Sequence, residues 1–170
     1  MTLHGLWPSY KNGKRLQTCN TETQIDVKGD ASDLFDSMKI FWPSFSKGNE
    51  EFWTHEYNKH GYCYIKKYNL REYRDFFMFV MDLFNRHRFD QIMLKAFGDL
   101  SGLQQFDMID LTNHISQVMT GLHFDLDCKR FDSKQYLQEI RFFFDLDLEP
   151  IQMRYPTDCK IGEPIYIDFQ

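Results

Sequence analysis

The spacing of apolar residues changes period part-way along this chain, and that change limits the fold more than any other feature. Tyr73, Phe76, Phe77, Val80, Leu83 and Phe84 recur every three or four residues, the interval at which side chains share one face of an α-helix. Beyond Gly121 the interval drops to two. Leu122, Phe124 and Leu126 alternate with His123, Asp125 and Asp127, and the alternation returns in Ile140, Phe142 and Phe144 and in Ile165, Ile167 and Phe169. Helices followed by strands predict an α+β fold, an antiparallel β-sheet flanked by helices. No internal repeat, low-complexity tract or long linker divides the chain, so residues 1–170 read as a single domain.

Local signals place the helix ends. Asn49 can cap a helix that runs through Phe52, Trp53, His55 and Glu56 and stops at Gly61, where a left-handed end residue is wanted. Asn69 with Glu72 three residues on resembles a capping box and predicts the start of the next helix. A further helix spans Leu111 to Met119 and ends at Gly121.

Composition narrows the class. The 170 residues are 42% hydrophobic and 26% charged, enough to bury a core. Phe is over-used, with 17 copies, yet no apolar run approaches the roughly 18 residues of a membrane span. A net charge of −5 argues against a broad cationic face that grips nucleic acid through phosphates alone, so a nucleic-acid partner must be held locally. Protonating all six His would carry the charge to about +1 as pH falls below the ordinary His pKa, which favours such a partner in acid. Four Cys, none in a CxxC pair, point to disulfides rather than a zinc knuckle and leave three pairings open. That usage leans secretory. Because Thr2, Leu3 and His4 follow Met1 with no basic stretch and no apolar leader core, a removed leader or a truncated chain is expected.

The informative stretch runs Phe52-Trp53-Thr54-His55-Glu56-Tyr57-Asn58-Lys59-His60-Gly61. Glu56 and His60, four apart, share a helix face, and Glu56 and Lys59 lie on the same side. His55-Glu56 begins like the zinc motif H-E-x-x-H, but His55 and His60 are five apart, about 140° around an α-helix, so no metal site is expected. Charged residues on a helix often form only a solvated face. Two His, a Glu and a Lys within a turn and a half suit acid/base chemistry better. Leu3-His4-Gly5-Leu6-Trp7-Pro8 adds a third His, a weak signal by itself. His87, His114 and His123 lie outside both stretches and read as structural or surface residues.

Taken together, the two stretches resemble the two active-site segments of the ribonuclease T2 family, secreted, vacuolar and lysosomal acid endoribonucleases. Phe41-Trp42-Pro43 and Gln138-Glu139-Ile140-Arg141-Phe142 extend the likeness over essentially the whole chain. The resemblance implies His4 and His60 as general acid and base, His55 as a phosphate ligand, and Glu56 with Lys59 as stabilisers of the transition state. Trp7 and Phe52 fall where the family stacks a base, and disulfides are implied between Cys19 and Cys63 and between Cys128 and Cys159. Family members generally carry an opening strand before the first motif, so the fold is expected to lack that strand. Ser9 stands where relatives often have Asp or Asn, Tyr57 replaces a common Trp, and Phe143 or Phe144 with Met153 stand near a further Cys pair of many relatives.

These residue types suit RNA. Its 2′-hydroxyl is a built-in nucleophile beside the phosphate, and such placement is worth roughly 7–11 kcal/mol of barrier. A neutral His, a protonated His and a cation answer the rest without metal or cofactor. The expected activity is metal-independent cleavage of single-stranded RNA by a monomer, through a 2′,3′-cyclic phosphate to 3′-phosphate ends, with an acid optimum and no action on DNA or membranes. The competing class is a secreted binding or structural protein that keeps the fold without catalysis.

Overall fold

The computed structural model describes residues 2–12, 14, 16, 19, 21–153 and 157–169. They pack as two compact units, residues 2–10 with 16–90 and residues 11–14 with 91–169.

The first unit is helical. It contains α1 (Val27–Asp30), α2 (Ser32–Phe41), α3 (Asn49–Glu56), a π-helical segment (Tyr57–Gly61), α4 (Tyr62–Lys67) and α5 (Tyr73–Arg86). Asp26 starts α1 by accepting the Gly29 N–H at 2.8 Å. The stripe on α5 is core: Phe76, Phe77, Val80, Met81, Leu83 and Phe84 are all buried, at roughly 2 kcal/mol of transfer free energy per side chain. Trp42, Trp53, Met38 and Val27 meet Phe76 and Phe77 in one cluster. The Trp53 indole donates to the Trp42 carbonyl, and the Trp42 indole donates to the His4 carbonyl, both at 2.7 Å. A second bond at 2.7 Å runs from the Leu3 N–H to the Phe41 carbonyl. The opening segment is thus tied by its backbone to the C-terminal end of α2 and the buried Trp42 that follows it.

Three expected helix ends move. Asn49 is the first residue of α3 rather than its cap, and its side chain accepts the Ser44 N–H at 2.8 Å, closing the loop before the helix. Asn69 sits in the left-handed region at φ 50°, so α5 waits until Tyr73, after Glu72 in extended backbone. Gly61 does not end a helix: it is right-handed helical at φ −71° and the chain winds on into α4. A β-carbon there would lie 2.8 Å from the Phe76 ring, so this glycine answers close packing.

The second unit holds a four-stranded sheet of order β1-β4-β3-β2, from β1 (Gly102–Phe106), β2 (Phe124–Phe131), β3 (Lys134–Phe142) and β4 (Ile165–Phe169). α6 (Phe89–Phe97) precedes β1, and α7 (Met108–Val118) follows it. Asp107 caps α7 by accepting the Ile109 N–H at 2.7 Å. Asp132 and Ser133, both at positive φ, turn β2 back as a hairpin with β3. The α+β class is as expected. The sheet is antiparallel at β1–β4 and β2–β3 but parallel at β3–β4, where Gln135 faces Ile165, because β4 returns after a long loop rather than a tight turn. Leu111, Ile115, Leu126 and Ile165 form the core with the Cys128–Cys159 disulfide beside them. Buried Gln135 is satisfied by the carbonyls of Lys160 and Glu163 and by the Lys160 N–H. The Arg141 guanidinium spans Asp127 at 2.6 Å and Glu139 at 3.0 Å.

Candidate active site

All seven residues singled out for chemistry or base stacking lie in the first unit. Tethering of Leu3 and His4 to α2 fixes where the opening segment runs, and α3 with the π-helical segment supplies His55, Glu56, Lys59 and His60. The meeting point is the Trp7 indole. Its N–H donates to Glu56 Oε2 at 2.7 Å, its face stacks on the His60 ring at a centroid distance of 4.9 Å, and the His4 ring stands edge-on to it at 4.7 Å. The two imidazoles are therefore separated by no more than the sum of those two distances. Phe52 completes the group, its ring 5.8 Å from that of His4.

Burial divides the roles these groups can take. The Glu56 side chain is 3% exposed while that of His4 is 47% exposed, with His4 Nε2 3.8 Å from Glu56 Oε1. The carboxylate is an internal anchor, and the imidazole is open to a substrate. Gly5 is required by this approach: a β-carbon would sit 2.2 Å from Glu56 Oε2 and 2.7 Å from Trp7 Nε1. The π-helical winding just after Glu56 is an uncommon device often found at functional sites. Because of it, the 140° reckoned for an α-helix does not describe the angle between His55 and His60. Among the described residues, no group of three His, Cys, Asp or Glu could hold a metal ion.

His55 faces a groove of about 640 Å³ with Lys59 beside it, and Lys47 and Glu51 also line that groove. Burial holds the His55 pKa below its ordinary value, and the positive charges of Lys47, Lys59 and His4 press it further down against a smaller pull from Glu51. Asn58 builds the far wall: its side chain accepts the Thr23 N–H and donates to the Thr23 carbonyl, both at 3.1 Å, and its carbonyl accepts the Thr21 N–H at 2.9 Å.

Sequence reading missed Gly5, Lys47 and Asn58. Asn58 stood inside the motif, but its partners are 35 residues away, and Lys47 precedes the motif in a loop. Cys19 is bonded to Cys63 and Cys128 to Cys159. His114 hydrogen-bonds the Ala96 carbonyl at 2.6 Å, and the His87 ring packs against Phe89 at 5.5 Å, both away from the site residues in sequence and partner.

Comparison with known proteins identifies the family. The model of the Ribonuclease T2 family matches residues 1–159. The chain is similar to ribonuclease T2 protein rnst-2 of Caenorhabditis elegans, 29% identical over 167 residues, covering 94% of this chain and 57% of that protein. It is also similar to ribonuclease T2-like 1-A of Candida albicans, 25% identical over 180 residues, covering 92% of this chain and 43% of that protein. Among solved structures it shares a fold with ribonuclease MC1 from bitter gourd seeds, at a TM-score of 0.73 and 21% identity, over 99% of this chain and 84% of that one. The chain thus spans about half the length of these curated relatives. The match runs from the His4 segment through both disulfides, and the chain belongs to the ribonuclease T2 family.

Proposed function

We propose that this protein is a metal-independent endoribonuclease that cleaves single-stranded RNA by transphosphorylation. The observation that carries the reading is the pair of imidazoles, His4 and His60, held against one indole with the buried Glu56 carboxylate bonded to that indole. In the first step neutral His60 takes the 2′-hydroxyl proton, the 2′-oxygen attacks the adjacent phosphorus, and protonated His4 gives its proton to the departing 5′-oxygen. The products are a 2′,3′-cyclic phosphate and a free 5′-hydroxyl. In the second step the roles exchange, and water opens the ring to a 3′-phosphate.

Lys59 and His55 answer the charge that grows on the phosphoryl oxygens, His55 as a phosphate ligand. Glu56, anchored by Trp7, stabilises the imidazolium of His4 across 3.8 Å. Trp7 and Phe52 hold the bases beside the scissile bond, Trp7 doing so while keeping its N–H on Glu56. Residues 1–170 act as one domain, a reading supported by a family match that runs through both compact units. Family membership and two disulfides support a secreted, vacuolar or lysosomal destination. The protein acts as a monomer without DNA or membrane partners. Among the described residues, no helix is long and apolar enough to cross a membrane.

The test is product analysis on a short oligoribonucleotide at about pH 5, beside a copy with a single 2′-deoxy sugar at the cleaved position. A transient 2′,3′-cyclic end on the first and no cleavage at the altered position of the second support the reading. Cleavage at the deoxy position, or 5′-phosphate products, overturns it.

A further inference from the structure

We propose that the groove beside His55 and Lys59 is a subsite for the sugar–phosphate of a nucleotide flanking the scissile bond, with Lys47 and Gln24 on its walls. The inference rests on the nuclease reading and extends it from two nucleotides to at least three. His55 and Lys59 line the groove while belonging to the proposed phosphate-binding set, so the groove continues from the reacting centre. Its volume of about 640 Å³ is in the range of small-molecule sites and exceeds what a single phosphate needs.

The lining dictates the chemistry of the occupant. No Phe, Tyr or Trp is among the described lining residues, so nothing there stacks a base. Two lysines line it instead, Lys47 and Lys59, and both bear on His55, whose pKa is lowered first by burial and then by these cations. Threonine hydroxyls, Gln24 and the carboxylates of Glu22 and Glu51 supply polar partners suited to ribose hydroxyls. Lys47 is paired with Glu51 at 3.0 Å, but both side chains are more than half exposed, and such a pair yields easily to a phosphate. The wall that carries Thr21 to Gln24 is held by the Asn58 bonds, so the groove is built before any ligand arrives.

A subsite of this kind reads chain length, not sequence. The experiment measures kcat/KM per bond on oligouridylates and oligoadenylates of two to five residues, at several salt concentrations, for the native protein, Lys47→Ala and Gln24→Glu. The expected result is a rise of about fivefold or more from dimer to the longer oligomers, equal for both bases. That gain weakens with salt at a log–log slope of about −0.7 for one phosphate contact. Each variant reduces the ratio of long to dimer rates by about fivefold. No gain with length, a gain confined to one base, or a gain that survives in both variants overturns the subsite. Dimer cleavage by the native protein reports the nuclease reading separately, since its failure shows as no cleavage of any substrate. Direct binding of a non-cleavable 2′-deoxy pentamer, weakened by Lys47→Ala, tests the phosphate contact even then.

Discussion

The Trp7 indole N–H is bonded at 2.7 Å to a Glu56 carboxylate that is 97% shielded from solvent, and the same indole stacks on the His60 ring and makes a T-shaped contact with the His4 ring. One side chain thereby couples the opening segment to the helical segments that carry His55, Glu56, Lys59 and His60. Removing its N–H while keeping an aromatic ring isolates that coupling. Trp7→Phe leaves a buried carboxylate short of a partner, at a cost of about 1–3 kcal/mol. The expected outcome is a melting midpoint lower by about 3–6 °C and a fall in kcat/KM on RNA of about tenfold or more. Unchanged activity in the folded variant would show that the bond does not position Glu56.

Gly5 tests the same contact sterically. Because a β-carbon would lie 2.2 Å from Glu56 Oε2, Gly5→Ala must push the carboxylate or the indole aside. Activity is expected to drop by about a hundredfold, with circular dichroism retained, since displacement near reacting groups by about 1 Å carries that cost. Gly48→Ala, where a β-carbon meets nothing within 4 Å, serves as the control.

His55 gives a pH prediction with a definite sign. Its pKa is lowered first by burial and then by Lys47, Lys59 and His4, so below about pH 6.5 the unfolded chain takes the proton more readily than the native one. The residue therefore subtracts stability as pH falls through that window. His55→Gln is expected to flatten the loss of unfolding free energy between about pH 6.5 and 5, read by urea titration at each pH. A His55 proton resonance titrating above about 6.5 in the free protein contradicts the assignment.

The second unit gains from its disulfide. Cys128 and Cys159 are 31 residues apart, and a loop of that size is worth about 4 kcal/mol on the chain-entropy view. Replacing both by Ala is expected to lower the melting midpoint by about 10 °C or more. Since both Cys lie outside the first unit, kcat on RNA measured well below that midpoint should change little.

The family and the fold class were more legible in this chain than its winding. His55, Glu56, Lys59 and His60 fall within six consecutive positions, so one local segment carries them, and the His4 segment is equally short. What escaped depends on distant partners. Gly61 reads as a helix stop because glycine commonly is one, yet here it answers the Phe76 ring, fifteen residues on. The strand Gly102–Phe106 carries Gln at both 104 and 105, which breaks the apolar/polar alternation, and it is defined by pairing with Ile165–Phe169. The parallel pairing of β3 with β4 has no local signature at all, because direction is set by the route of the intervening loop. The helices Val27–Asp30 and Ser32–Phe41 likewise went unread, since only Val27, Ala31, Met38 and Trp42 of their residues and caps are buried, too few to show a period.

His4 and His60 are proposed to act together on one phosphodiester. The most direct measurement is the single-turnover cleavage rate of a defined single-stranded RNA near pH 5 by His4→Ala, His60→Ala and the double variant, each shown to be folded. Groups that act as a unit are not additive, so each single change is expected to remove activity by about a thousandfold or more and the double change to cost little beyond either one. Full activity in either single variant, or independent and modest losses that multiply in the double, would contradict it.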